Sequence, residues 1–101
     1  ASKLATAYSI SKTGLYILNT SYAVALAEKN IRVNMISPGH LQNSIDLPKD
    51  IKTSIPLGRS GTPKDILDLV DFIISPNATY ITGQNIEVAG GYMMSLNSHL
   101  T

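Results

Sequence analysis

Residues 7–39 read AYSISKTGLYILNTSYAVALAEKNIRVNMISPG. From Ala7 to about Lys29, Ala, Leu, Ile and Tyr recur at three- and four-residue spacing with no proline, which predicts one long helix. Asn30 closes it. Ile31 to Ser37 then predicts a strand, because Ile31, Val33 and Met35 alternate with polar residues before Pro38-Gly39 stops the run. A helix followed by a strand is half of a βαβ unit. Gly14 is the weak point of the helix, at about 1 kcal/mol relative to Ala, so close approach of another backbone is expected there. Leu15, Ile17, Leu18, Tyr22, Val24, Ala25 and Leu26 occupy more than one face, so cover on two sides is also expected.

Upstream, Ala1 to Ala7 shows no turn chemistry before the helical pattern, and the start reads as cut. Downstream, His40 to Gly61 carries Pro48, Pro56, Gly58 and scattered Leu47, Ile51, Ile55 and Leu57, which predicts a mobile excursion with one short helix. A second helix starts at Thr62-Pro63-Lys64-Asp65: Thr62 caps, Pro63 suits the first helical position, and Asp65 completes an acidic capping box. Its stripe is Ile66, Leu67, Leu69, Val70, Ile73 and Ile74, and Ser75-Pro76-Asn77 ends it. Gln84 to Val88 predicts a second strand bounded by Gly83 and Gly90-Gly91. Helix, strand, loop, helix, strand implies a parallel α/β layout. Two strands make a poor sheet, so a larger sheet is expected around them.

Composition excludes several classes. The chain is 44% hydrophobic and 15% charged, with a formal net charge of +1 and no run of Lys or Arg. That leaves no footprint for nucleic acid or an anionic membrane. No apolar stretch approaches the roughly 20 residues that span a bilayer. With no cysteine there is neither a disulfide framework nor a thiolate metal site, which fits a reducing, cytoplasmic location. His40 and His99 stand far apart without clustered carboxylates, a poor metal site.

Tyr8 and Lys12 carry the chemistry. Residues four apart on a helix lie about 6 Å apart along the axis and project from one face. A free phenol has a pKa near 10, and an adjacent ammonium favours its phenolate. Beside a carbonyl receiving hydride, such a tyrosine serves as general acid, or as general base in the alcohol-oxidising direction.

Five landmarks recur in order: Tyr8-Ser9-Ile10-Ser11-Lys12, Ile31-Arg32-Val33-Asn34, Pro38-Gly39, Pro56-Leu57-Gly58-Arg59, and Ile81-Thr82-Gly83-Gln84 with Gly90-Gly91. Their order and spacing resemble the C-terminal segment of the short-chain dehydrogenase/reductase family over nearly the whole chain, and within it 3-oxoacyl-acyl-carrier-protein reductases and pteridine-reductase-like members. The resemblance implies an α/β fold, the C-terminal fragment of a Rossmann-like doubly wound parallel sheet, with residues 1–101 forming part of one domain and the cofactor-binding half outside them. It implies an NAD- or NADP-dependent oxidoreductase acting on a small carbonyl or alcohol substrate, with fatty acid biosynthesis and an acyl carrier protein as partner in the reductase reading, and a homo-oligomer paired through the long helix. The competing reading is a catalytically incompetent remnant acting only through subunit contacts.

Site residues follow from the resemblance one by one. Tyr8 matches the proton donor and Lys12 its partner, which also bonds the cofactor ribose. Pro38 and Gly39 match the turn that passes the nicotinamide, and Leu41 falls where backbone contacts the carboxamide. Asn43 stands where many members have a threonine bonding the cofactor phosphates, with Ser44 adjacent as a substitute. Val88-Ala89-Gly90-Gly91 departs from the family's Val-Asp-Gly-Gly. The family's catalytic serine and glycine-rich turn lie upstream of this chain, and neither Ser2 nor Ser9 has the serine's spacing, so the 101 residues alone are expected to be inactive. His40 reads as a loop residue, Lys29 as a complement to the helix dipole, Arg59 as a structural hydrogen-bonding residue, and Met93 and Met94 as adaptable packing.

Overall fold

A computed structural model describes residues 3–42, 47 and 49–92 of the chain. It divides into two compact units, Ala1–Met35 with Ala78–Ile86, and Ile36–Asn77 with Glu87–Thr101.

In the first unit, α1 spans Lys3–Leu26 and tightens into a 3-10 turn over Ala27–Lys29, so the helix begins before the expected Ala7. Asn30 stops it as expected. Its φ of 60° is left-handed, its N–H donates to the Ala27 carbonyl at 2.9 Å, and the Ile31 N–H donates to the Leu26 carbonyl at 3.2 Å. Those two bonds form a Schellman stop, and asparagine tolerates its left-handed position. Within this unit α1 covers one narrow stripe, with Ala23 at 3% exposure and Asn19 buried, while Ile10, Ile17, Tyr22 and Val24 are exposed. The second side expected to be covered is therefore open among the described residues. Gly14 also departs from expectation: nothing described lies within 4 Å of where its Cβ would stand.

The first strand, β1, covers Met35–Pro38 rather than Ile31–Ser37. The reason is a substitution of partners. The Val33 N–H donates to Thr82 Oγ1 at 3.0 Å, and the Gln84 N–H donates to Asn34 Oδ1 at 3.0 Å, so side chains take the places of ladder carbonyls. Asn34 Nδ2 and Arg32 Nη1 both donate to the Ile81 carbonyl, at 3.0 and 3.1 Å. The second strand, β2, covers Asn85–Val88 and pairs with β1. The Met35 N–H donates to the Gln84 carbonyl at 2.8 Å, and the Gly39 N–H to the Val88 carbonyl at 2.9 Å. The offset is the same at both places, as a parallel ladder requires.

In the second unit the excursion contains α2, Ile51–Ser54, capped by Asp50, whose Oδ1 accepts the Thr53 N–H at 3.3 Å. Its described part is anchored rather than free-hanging, since Ile55 is 1% exposed and the Leu57 N–H donates to the Gly90 carbonyl at 2.9 Å. Helix α3, Pro63–Ile73, starts with the expected capping box: Thr62 Oγ1 accepts the Asp65 N–H, and Asp65 accepts the Thr62 N–H. Ile66, Leu69, Val70 and Ile73 form its inward stripe at helical spacing, whereas Leu67 and Ile74 are exposed. No helix among the described residues is long and apolar enough to cross a membrane.

Candidate active site

Tyr8 and Lys12 stand one turn apart on α1, in the first unit. Continuing by threes and fours along the same face gives Tyr16, Asn19, Ala23 and Leu26, the stripe by which α1 docks. Asn19 Nδ2 donates to the Gln84 carbonyl at 3.2 Å, and Asn85 Nδ2 donates to the Tyr16 hydroxyl at 2.8 Å. A Cβ on Gly83, which has φ +75°, would reach within 3.3 Å of the Ala23 Cβ, so the chain passes close to the helix there. These contacts set the rotation of α1 about its axis and hence the direction in which Tyr8 and Lys12 project. The Lys12 ammonium lies 5.9 Å from the centroid of the Tyr16 ring, a cation–π distance. Tyr8 itself is 62% exposed.

Sequence reasoning missed Tyr16. The signal was available, because Tyr16 follows Lys12 at the spacing with which Lys12 follows Tyr8, but its partner Asn85 lies 69 residues away. Asn19 keeps one further feature: its Oδ1 is buried without a hydrogen-bond partner among the described residues.

Pro38, Gly39 and Leu41 lie in the second unit. Gly39 has to be glycine, since a Cβ would stand 2.7 Å from the Ala89 Cβ and 2.8 Å from its Cα. Leu41 pairs with Gly61 in a parallel bridge: the Gly61 N–H donates to the His40 carbonyl and the Gln42 N–H donates to the Gly61 carbonyl, both at 2.8 Å. The His40 ring meets the Tyr92 ring edge-on, with centroids 4.7 Å apart. A cavity of about 150 Å³ is lined by Leu57, Arg59, Gly61, Asp65, Val88, Ala89 and Gly90. Arg59 grips Asp65 through two hydrogen bonds, Nη1 to Oδ2 at 2.8 Å and Nη2 to Oδ1 at 3.2 Å. Those bonds, followed by the one from the Thr62 N–H, hold the Asp65 carboxyl well below the usual carboxylate range, and Asp65 in turn raises the Arg59 guanidinium. Asn43 and Ser44, like His99, Met93 and Met94, lie outside the described residues.

A family model described as enoyl-(acyl carrier protein) reductase matches residues 1–93. The chain is 36% identical to the bovine (Bos taurus) dehydrogenase/reductase SDR family member 4, covering 88% of this chain and 35% of that protein. It is 38% identical to the 3-oxoacyl-[acyl-carrier-protein] reductase of Buchnera aphidicola, covering 87% and 38%. Among solved structures, a 4-hydroxyisoleucine dehydrogenase complexed with NADH superimposes with a TM-score of 0.77 at 38% identity, over 87% of this chain and 38% of that one. The chain thus spans little more than a third of the length of the proteins it matches, as a piece of a larger Rossmann-type sheet would. It belongs to the short-chain dehydrogenase/reductase family.

Proposed function

We propose that these residues supply the proton-transfer helix and the nicotinamide-side turn of an NAD- or NADP-dependent oxidoreductase that interconverts a small carbonyl and its alcohol. Catalysis belongs in this reading to the longer protein and not to the 101 residues alone. The observation that carries it is the placement of Tyr8 and Lys12 one turn apart on a helix whose rotation is set by Tyr16, Asn19 and Ala23. The side chains present fit the ribose end of such a cofactor. An ammonium with three N–H donors and a phenol that both donates and accepts project from one face, and the phenol is exposed.

When bound, the nicotinamide supplies or accepts hydride. Tyr8 gives its hydroxyl proton to the carbonyl oxygen in the reductive direction and takes it back in the oxidative one. Lys12 stabilises the phenolate left behind and bonds ribose hydroxyls. The turn at Pro38 and Gly39 and the backbone of Leu41 take the nicotinamide end, and Asn43 or Ser44 serves the phosphates, as membership of the family implies. Similarity to the Buchnera reductase supports a 3-oxoacyl thioester on an acyl carrier protein as the substrate class.

In the full-length protein, Tyr8→Phe should lower turnover by ~10²–10⁴-fold while leaving cofactor affinity nearly unchanged, because it removes the transferable proton and keeps the ring. Lys12→Ala should damage both. Retention of more than about a tenth of turnover by Tyr8→Phe, with chemistry rate-limiting, would remove Tyr8 as principal proton donor.

A further inference from the structure

Three short segments of the second unit are tied by main-chain bonds around the 150 Å³ cavity. Gly39 bonds Val88, Leu57 bonds Gly90, and Gly61 bonds both His40 and Gln42. The turn from Pro38 to Gln42 is thus fixed at both ends, by β2 at Gly39 and by Gly61 beyond it. Gly61 belongs to neither strand nor helix, so something must fix Gly61 in turn.

Asp65 does so from both sides. On the side after Gly61, its Oδ2 accepts the Thr62 N–H at 2.8 Å and the Thr62 hydroxyl at 3.1 Å. On the side before it, Asp65 holds Arg59 through two bonds, and Arg59 Nη1 also donates to the Ser60 carbonyl at 3.2 Å. The peptides flanking Gly61 therefore both end on one ion pair. A Cβ on Gly61 would stand 2.9 Å from Leu41 Cδ2 and 3.8 Å from Asp65 Oδ2, so the bridge to Leu41 and the carboxylate close on the same point.

We propose that Asp65, with Arg59, is a positioning residue for the Pro38–Gln42 turn and thereby selects for the nicotinamide end of the cofactor. The proposal rests on the function proposed above for that turn. The role assigned to Asp65 is exerted through Gly61 and needs no contact with cofactor or substrate. Its loss frees the turn without disturbing groups that hold the adenosine end.

The test uses the full-length protein, with Asp65→Asn, Arg59→Gln, and Lys64→Gln as a control that breaks the neighbouring Lys64–Asp68 pair on α3 and leaves the hydrogen bonds of Asp65 in place. Amide hydrogen exchange is followed at Gly61 and Gln42, and dissociation constants are measured for NADH, NADPH and 5′-AMP, which lacks the nicotinamide half and the phosphate next to it. Asp65→Asn and Arg59→Gln should speed exchange at both amides and weaken the preferred dinucleotide about tenfold, a loss on the scale of one charge-assisted hydrogen bond. 5′-AMP binding and the Lys64→Gln protein should stay as in the parent. Equal losses for 5′-AMP and dinucleotide would overturn the proposal by showing general loosening. Unchanged exchange, or faster exchange with unchanged dinucleotide affinity, would overturn it too. A parent that binds neither dinucleotide overturns the functional reading itself, a result visible before any variant is made. If Asp65→Asn does not fold, Arg59→Gln decides, because Asp65 then still caps α3 through Thr62.

Discussion

Both units join their segments through main-chain bonds, at Met35 on Gln84 and Gly83 on Val33 in the first, but they differ in what accompanies those bonds. In the first, side chains complete the main chain: Asn34, Thr82, Asn19 and Arg32 bond to backbone groups across the space between α1, the approach to β1 and the approach to β2. In the second, main chain meets main chain, at Gly39 on Val88, Leu57 on Gly90 and Gly61 on His40. Two glycines mark the extremes. Gly14 of α1 has open space where a Cβ would stand, whereas Gly39 has the Ala89 backbone there. A segment held by a side-chain partner suffers from losing a polar atom, and one held by close main-chain contact suffers from added bulk. The second unit has segments of both kinds, since Asp65 and Arg59 bond the peptides flanking Gly61.

The largest effect expected from this contrast is at Gly39. Gly39→Ala drives a methyl into Ala89 Cα and Cβ, so the turn must move off β2 and the bond from the Gly39 N–H to the Val88 carbonyl must lengthen. Overpacking of this kind costs about 1–3 kcal/mol. Denaturant unfolding of the intact protein measures it, and adding Ala89→Gly should restore part of the loss by removing the nearer contact. A Gly39→Ala protein as stable as the parent would break the comparison.

In the first unit the corresponding change is Thr82→Val. It keeps the shape and removes the acceptor of the Val33 N–H, for a loss of about 0.5–1.5 kcal/mol. Amide exchange at Val33 should accelerate while that at Met35, bonded to the Gln84 carbonyl, changes less. Equal acceleration at both would mean that the two strands open as one piece and that Thr82 carries no special share.

Gly14→Ala should act in the other direction. With nothing described within 4 Å of its Cβ position, alanine brings helix propensity without a clash and raises stability by about 0.5–1 kcal/mol. A fall in stability in the intact protein would show that a segment outside the described residues approaches α1 at that point, which is the close approach that a glycine in mid-helix led us to expect. Gly14 thereby separates what this chain does from what covers it.

What was legible in the sequence was local. The capping box of α3 is spelled out in Thr62-Pro63-Lys64-Asp65, and the stop at Asn30 follows from its own backbone tolerance, so both stand where expected. That Tyr8 and Lys12 share one face of α1 was legible from helical spacing. The true start of β1 was not, since it depends on Thr82 and on Gln84, 49 and 50 residues from their partners Val33 and Asn34. Tyr16 escaped for the same reason. Arg59 read as a structural hydrogen-bonding residue and is one, but its partner Asp65 had been assigned only to the helix cap; the carboxylate has enough acceptor positions for both tasks.

The smallest effect concerns acid. The Arg59 hydrogen bonds, and then the Thr62 N–H, favour the ionised form of Asp65 in the folded state, whereas in the unfolded chain an aspartate titrates near 3.9. A carboxyl whose pKa is lowered on folding contributes stability that is present above the unfolded value. That contribution fades as pH falls below about 4 toward the folded value, because the unfolded chain then binds a proton the folded one does not. The contribution is modest, because the side chain of Arg59 is 57% exposed and that of Asp65 29%, and water and salt screen such pairs. Taking the difference in Tm between the parent and Asp65→Asn cancels the other carboxylates. That difference should be constant from neutral pH down to about 5, should shrink below about 4, and should be smaller at high salt throughout. A difference that holds unchanged to pH 2, or one that grows on acidification, would mean that Asp65 caps α3 as a neutral hydrogen-bonding group and that its charge adds nothing to the second unit.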